Sequence, residues 1–443
     1  MQTLDSHAGP VASSPALPRE LIHPRDALMQ TMQRIYQYRM TTTSGGNLSL
    51  RDVHGDIWIT PARVDKGNLQ RDDMIRVDAQ GEAHGPHPPS SEYPFHRAIY
   101  DARPDLGAIV HAHPVALVAF SITKRAPDTR LFAKSWHTCG EPGFAPYALP
   151  GSAALGQVIA ETFAKGHDAV ILENHGVVVG GKTLADAFAR FETFEFTAKT
   201  LIKAGHLGPV TTLTDKQIAL RDQGPPPLPA FSPGPADVAE KDARRCIVDF
   251  CRRGYRQRLL ISTEGSLSTR LGPDRFVITP SNADRLSLSV QDPVLIDGGR
   301  AEAGKTPSRA ARLHAAIYAA HPEINAVINA NSVNATAFAV CGSPLDSRTI
   351  PESYVFLREV QRVSYETATT DAEAVAQTVG PTRPVALLEN DGVLACGKDV
   401  LSAFDCLEVL ESTAEALINS RPLGEVSPMG AGPIRELEAA FFG

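Results

Sequence analysis

Two histidines one residue apart, His111-Ala112-His113, close an apolar run that starts at Leu106 and is followed by Pro114. The run has strand length and is rich in β-branched residues, which predicts a strand ending at Pro114. Side chains alternate along a strand, so His111 and His113 leave on one face. Two imidazoles side by side on a rigid element form half of a divalent metal site. An isolated His-x-His would more simply be a pair of partly buried histidines with ordinary hydrogen bonds. Here a third imidazole stands at a turn, in Glu173-Asn174-His175-Gly176, and a carboxylate, Glu92, follows Pro88-Pro89-Ser90-Ser91. Three neutral imidazoles with an open position make a catalytic type of site, most often for zinc, with iron, cobalt or manganese as alternatives. Such an ion polarises a carbonyl and stabilises an enediolate oxygen. Glu92 would then move the proton. Taken alone, Glu92 is a first-turn helix carboxylate of the kind the macrodipole favours.

The elements that must position these groups follow in order. Periodicity predicts a helix from Pro24 to Arg39, with Leu28, Met32 and Ile35 on one face. The segment Thr41 to Arg51, with Gly45-Gly46-Asn47, combines glycines that let a backbone approach a ligand with Ser and Asn donors. A helix-to-strand turn using Gly and Asn for positive φ reads equally well. Strands are predicted at 56–60 and 73–78, with a loop from Pro61 that carries Arg63. A helix at about 92–102 has Ser90 or Ser91 as a natural cap, and a helix N-terminus attracts anions. A short helix from Val115 to Ser121 follows the histidine strand. Residues 122–150 are loop-rich and contain Trp136, His137 and Tyr147. Beyond them come a helix at 152–165, strands at 169–172 and 177–179 around His175, and a helix from Thr183 to Ala204.

Composition removes several functions. The 443 residues are 43% hydrophobic and 21% charged, with a net charge of −7. That describes a globular chain of two or three domains without a basic field, so nucleic acid is not expected as a partner. No apolar run approaches the roughly 20 residues of a membrane span. The first 20 residues show no signal pattern. Six scattered cysteines read as reduced thiols of a cytoplasmic protein.

Residues 206–240 change character. Gly224-Pro225-Pro226-Pro227-Leu228-Pro229 and Ser232-Pro233-Gly234-Pro235 exclude helix and central strand and predict an extended linker. After it the sequence repeats. Gly46-Asn47-Leu48-Ser49 returns as Gly265-Ser266-Leu267-Ser268, and Ile59-Thr60-Pro61 as Ile278-Thr279-Pro280. The helix around His96 returns around His314. The chain is therefore one domain of about 200 residues present twice. Its order of elements predicts an α/β layered fold around a mixed or antiparallel sheet.

The repeat is an internal control. His111 and His113 become Asn329 and Asn331, His175 becomes Asp391, and Glu92 aligns with Ala310. Ligands and acid are lost together while the glycines, prolines and apolar pattern stay. That is what one site kept in the first copy and abandoned in the second would produce. Asn329, Asn331 and Asp391 are not expected to bind zinc, because amide oxygens are poor ligands for it. Glu173 persists as Glu389 and reads as structural.

Gly-Asn-Leu-Ser, Ile-Thr-Pro, Pro-Ser-Ser-Glu, His-Ala-His-Pro and Asn-His-Gly together resemble the class II aldolase/adducin family, over 24–205 and, in degraded form, 241–420. The resemblance implies a three-layer α/β domain around a mainly antiparallel sheet. It also implies zinc on His111, His113 and His175, Glu92 as acid/base, and an anion pocket from Gly46, Asn47, the loop after Thr60-Pro61, Ser90 and Ser91. Ala62-Arg63 stand where family aldolases carry a hydroxyl residue and glycine. Arg63 would suit a carboxylate or a phosphate, unless it faces solvent or pairs with Asp65. The expected activity is a metal-dependent lyase performing retro-aldol cleavage of a small sugar phosphate or sugar acid in carbohydrate metabolism. Tyr147 or His137 would protonate the leaving aldehyde's oxygen. A hydroxy-acid decarboxylase, an epimerase and an adducin-like scaffold are the alternatives. Ring-forming relatives further imply a homodimer acting as a pseudo-tetramer. The expected layout is a tail at 1–23, the two domains, a linker at 206–240 and a tail at 421–443.

Overall fold

The computed structural model describes residues 22–224 and 226–442. The expected N-terminal tail falls, but for its last two residues, outside them. The first copy runs α1 (Pro24–Gln37), β1 (Asn47–Arg51), β2 (Ile57–Ile59), β3 (Ile75–Val77), β4 (Ala83–His84), α2 (Tyr93–Ala102), β5 (Ala108–Ala112), α3 (Val115–Ile122), α4 (Ala133–Cys139), β6 (Gly143–Ala145), α5 (Ala153–Ala164), β7 (Ala169–Leu172), β8 (Gly176–Gly181) and α6 (Leu184–Gly205). Between the copies lie α7 (Asp215–Asp222) and β9 (Ala230–Phe231). The second copy runs α8 (Val238–Arg256), β10 (Ser266–Gly272), β11 (Arg275–Ile278), β12 (Val294–Asp297), β13 (Arg300–Glu302), α9 (Ala311–Ala320), β14 (Ala326–Ala330), α10 (Val333–Ala339), α11 (Pro351–Leu357), β15 (Gln361–Val363), α12 (Tyr365–Thr370), α13 (Ala372–Thr378), β16 (Val385–Leu388), β17 (Gly392–Gly397), α14 (Val400–Ser420) and α15 (Ala431–Phe441).

Each copy is built on one mainly antiparallel sheet. The first has the order β4-β3-β2-β1-β5-β8-β7-β6, and only β6 and β7 run parallel. The second repeats the central order as β16-β17-β14-β10-β11-β12. The histidine strand β5 is central and buried along its whole length, between β1 and β8. One face of the first sheet carries α1, α3 and α6, whose Leu28, Met32 and Phe191 join Val110 and Val179 in one core. The other carries α2 and α5, whose Phe95, Ile99, Ile159 and Phe163 pack on Ile109 and Val178. Fully burying side chains of this size contributes about 1.5–3 kcal/mol each. Helix ends follow local chemistry: Thr183 and Asp186 form a reciprocal capping box at α6, and Ser152 caps α5.

Three expectations are corrected. Neither Ser90 nor Ser91 caps α2; the cap position is Glu92, which makes no side-chain capping bond because its carboxylate is turned to the imidazoles. The linker is not wholly extended. Thr214-Asp215-Lys216-Gln217 forms a capping box that starts α7, and Ala230–Phe231 pairs with β13 at the sheet edge, where proline neighbours are tolerated. The C-terminal segment is not a plain tail, since α15 docks on α11 with Glu438 accepting from the Tyr354 hydroxyl at 2.8 Å.

The copies share a core in which Leu131, Phe132 and Phe196 pack with second-copy residues such as Ile261, Phe338 and Leu407. At its edge Glu192 of α6 is buried with no exposed side-chain surface. It accepts from Tyr255 (2.5 Å), Arg258 (2.7 Å) and the Ser262 backbone (3.1 Å), all in the second copy. Arg34 of the first copy lies 3.5 Å away and also holds Asp284, at 3.0 Å. Removing one member of a buried ionic group leaves the others uncompensated, at a cost of about 3–5 kcal/mol. Glu192→Ala should therefore lower the unfolding free energy read from urea titration by about 3–5 kcal/mol, and an unchanged midpoint would contradict this account of the junction.

Candidate metal centre

His111 lies on the central strand β5, and His113 is the first residue past its end. Their Nε2 atoms are 3.2 Å apart. The β7–β8 turn brings His175 to them, with ring centroids 4.9 Å from His111 and 5.1 Å from His113. One ligand nitrogen from each of the three lies within 4.8 Å of the others. The turn is placed by Ser121, which accepts from the His175 backbone at 2.9 Å and donates to the Leu172 carbonyl at 2.6 Å. The loops can close this tightly because of missing side chains. A Cβ on Gly45 would sit 2.8 Å from His113 Nδ1, and one on Gly46 2.7 Å from the His111 carbonyl. Gly46 also has φ +73°, which favours glycine.

Glu92 reaches the cluster from the start of α2. Its Oε2 is 3.2 Å from His111 Nε2, and its Oε1 is 3.5 Å from His175 Nε2. The Asn47 amide donates to Oε2 at 2.7 Å. Burial alone would raise the Glu92 pKa, but the His111 imidazole and the Asn47 amide outweigh it and hold the carboxyl well below the usual range. Burial lowers His113 to about 3 and His175 to about 4, with His111 adding to both. Both rings are therefore neutral near pH 7, the form in which imidazole binds metal.

The donor set fits a divalent cation. His111 Nδ1 donates to the Val177 carbonyl at 2.9 Å, which turns Nε2 toward the cluster. His175 Nδ1 is buried and has no hydrogen-bond partner among the described residues. A second group, Asp78, Glu82 and His84, sits on the β3–β4 hairpin, where Asp78 already takes up His84 and the backbone of Gln80 and Glu82.

A buried polar chain stands behind Glu92 that motif spacing did not reveal. Asn47 Oδ1 accepts from His96, whose Nδ1 is 2.7 Å from the Ser49 hydroxyl, itself 2.8 Å from the Tyr100 hydroxyl. Burial lowers His96 to about 3, so it serves as a neutral connector. The chance to see it lay in the repeat, because Ser268, His314 and Tyr318 keep the same contacts in the second copy.

Other expected residues fare differently. Ser90 is buried and accepts from the Glu92 backbone at 3.3 Å, whereas Ser91 is exposed. Arg63 is exposed, has φ 59°, and neither pairs with Asp65 nor touches the cluster. Tyr147 is 58% exposed and its backbone N–H donates to Glu173 at 3.0 Å. His137 is held instead by Asp222 of α7, at 2.8 Å. Glu173 has a structural task, tying this loop to Lys124 at 2.6 Å.

In the second copy the matching positions are consumed by protein. Asn329 accepts from His314 at 2.7 Å, Asn331 donates to the Asp391 carbonyl at 2.8 Å, and the Asp391 carboxylate takes Arg221 of α7 at 2.5 Å.

Residues 26–202 and 245–418 each match the family described as Class II Aldolase and Adducin N-terminal domain. The L-fuculose phosphate aldolase of Methanocaldococcus jannaschii is 33% identical over 38% of this chain and 89% of its own length. The 3-oxo-tetronate 4-phosphate decarboxylase of Escherichia coli is 32% identical over 44% and 93%. A solved L-fuculose 1-phosphate aldolase is 28% identical, covers 44% of this chain and 93% of its own, and superposes with a TM-score of 0.40. The two matched stretches span most of the sequence, and the chain is a tandem member of the class II aldolase and adducin N-terminal domain family.

Proposed function

We propose that the first copy is a metal-dependent carbon–carbon lyase acting on a small hydroxylated sugar phosphate or sugar acid by retro-aldol cleavage. The observation that carries this reading is the convergence of three imidazoles and one carboxylate in the first copy, against their joint loss in the second. His111, His113 and His175 would hold the ion, zinc before iron, cobalt or manganese on the donor chemistry. Bound there, a divalent ion supplies Lewis-acid polarisation of a carbonyl and offsets negative charge on its oxygen.

The chain's own groups do the rest. Glu92, ionised at neutral pH, accepts a substrate proton and returns it to the carbon left by the departing aldehyde. Asn47, backed by His96, Ser49 and Tyr100, fixes the carboxylate's direction. Gly46, Ser90 and Ser91 would offer the polar groups that hold an anionic substituent, while the Asn47 side chain is taken up by Glu92 and His96. The likeness to sugar-phosphate aldolases supports this substrate class. The likeness to 3-oxo-tetronate 4-phosphate decarboxylases favours one alternative on the same residues, loss of carbon dioxide in place of an aldehyde. Screening sugar phosphates and sugar acids for aldehyde against carbon dioxide separates the two.

Protein purified without a metal-binding tag should carry about one divalent ion per chain, and His111→Ala or His175→Ala should lose it. An ion retained in both variants would sink the site. Glu92→Gln should keep the ion and lower the turnover about 10²–10⁴-fold. Undiminished turnover would remove Glu92 from the proton transfer. The metal-stripped protein should also be acid-sensitive. His113 and His175 are depressed in the folded state, while the unfolded chain takes up these protons near pH 6.5. Below that value the unfolded state binds more protons, so stability falls as pH drops from about 7 toward 4. Urea midpoints in chelator at several pH values test this, and a midpoint that rises on acidification contradicts it.

A further inference from the structure

The three imidazoles of the first copy are held by three different devices. His111 is fixed through its own ring, whose Nδ1 donates to the Val177 carbonyl at 2.9 Å. His113 is fixed by packing. Its ring lies so close to two backbones that a Cβ would come within 2.8 Å of it at Gly45 and within 2.5 Å at Gly176. His175 has neither support. It stands on the turn between β7 and β8, and its Nδ1 is buried with no hydrogen-bond partner among the described residues. On the side away from the other imidazoles, such a ring is steered through its backbone.

That backbone is what Ser121 grips. The Ser121 hydroxyl accepts from the His175 N–H at 2.9 Å and donates to the Leu172 carbonyl at 2.6 Å. Ser121 lies in the last turn of α3 with no exposed surface, so one hydroxyl ties the turn to a helix packed in the core.

The second copy shows that the turn itself does not need this hydroxyl. The segment Val115 to Ser121 returns as Val333 to Ala339, so Ser121 matches Ala339. The Asp391 N–H there donates to the Leu388 carbonyl at 3.1 Å, just as the His175 N–H also reaches the Leu172 carbonyl at 3.1 Å. Asn390 keeps φ 50° against 52° for Asn174. The same turn therefore closes over serine and over alanine. What separates the two copies is that the serine stands beneath an imidazole and the alanine beneath Asp391.

We propose that Ser121 is a positioning residue of the metal centre, whose hydroxyl aims His175 at the ion and so sets how tightly the ion is held. This rests on the reading of the three imidazoles as ligands and extends it to a group that touches neither ion nor substrate. Outer contacts that orient ligating histidines are worth about 10–100-fold in metal affinity. His111 has such a contact on its ring, and His175 has it on its peptide N–H.

Zinc titration of the metal-stripped full chain, in competition with a chromophoric chelator, reads the effect without reference to turnover. Ser121→Ala should weaken zinc binding about 10–100-fold. Folding is not at stake, because the second copy carries alanine at this place. Ala339→Ser should leave zinc binding unchanged. In a His175→Ala background, serine and alanine at 121 should give the same residual affinity, whereas a general loosening of the fold would still weaken it. Ser121→Ala that binds zinc as tightly as wild type overturns the proposal, and so does an equal weakening with and without His175. Wild type that binds no zinc is a separate failure, which removes the metal reading and this proposal with it.

Discussion

The structure depends on how closely two loops and a turn can approach one central strand. β5 is hydrogen-bonded on both sides and buried throughout, so it fixes where His111 points, and His113 with it. Glycine at 45 and 46 then lets the segment before β1 come within contact of His113 and of the His111 carbonyl. Gly176 does the same on the other side, where a Cβ would lie 2.5 Å from His113. The imidazole cluster is thus a product of backbone proximity first and of side-chain chemistry second. That order explains why the framework survives in the second copy after the chemistry has gone.

The second copy shows what becomes of the cluster when its three imidazoles are replaced. Nothing is left dangling at the matching positions. Asn329 joins the His314 chain, Asn331 ties down the next turn, and Asp391 receives Arg221 from the linker helix. Nearby, Lys66 in the first copy donates to the Pro61 carbonyl alone, and burial lowers it to about 8. At the matching place Arg285 donates to the Pro280, Ala283 and Gly265 carbonyls and is fully buried. An arginine with five donors locks together loops that the lysine leaves partly unlinked.

Much of this was legible in the sequence because the decisive residues lie at motif spacing. His111 and His113 share a strand face, His175 marks a turn, and the degraded repeat isolates these positions with Glu92. What was not legible depends on distant partners. Asn47 read as a loop donor to substrate, and only the fold shows it bridging Glu92 and His96. Arg63 and Tyr147 are exposed, and His137 pairs with Asp222, which their chemistry alone did not foretell. α7 was hidden by the prolines after it, although its capping box, Thr214 to Gln217, was in view.

Glu192 draws one more consequence from the tandem arrangement. Three of the four donors around this buried carboxylate come from the other half of the chain. The first copy therefore supplies one cation, Arg34, and relies on the second for the other donors. A first half made alone would keep Arg34 but lose three of the donors around a buried carboxylate, so the two halves complete one shared interior.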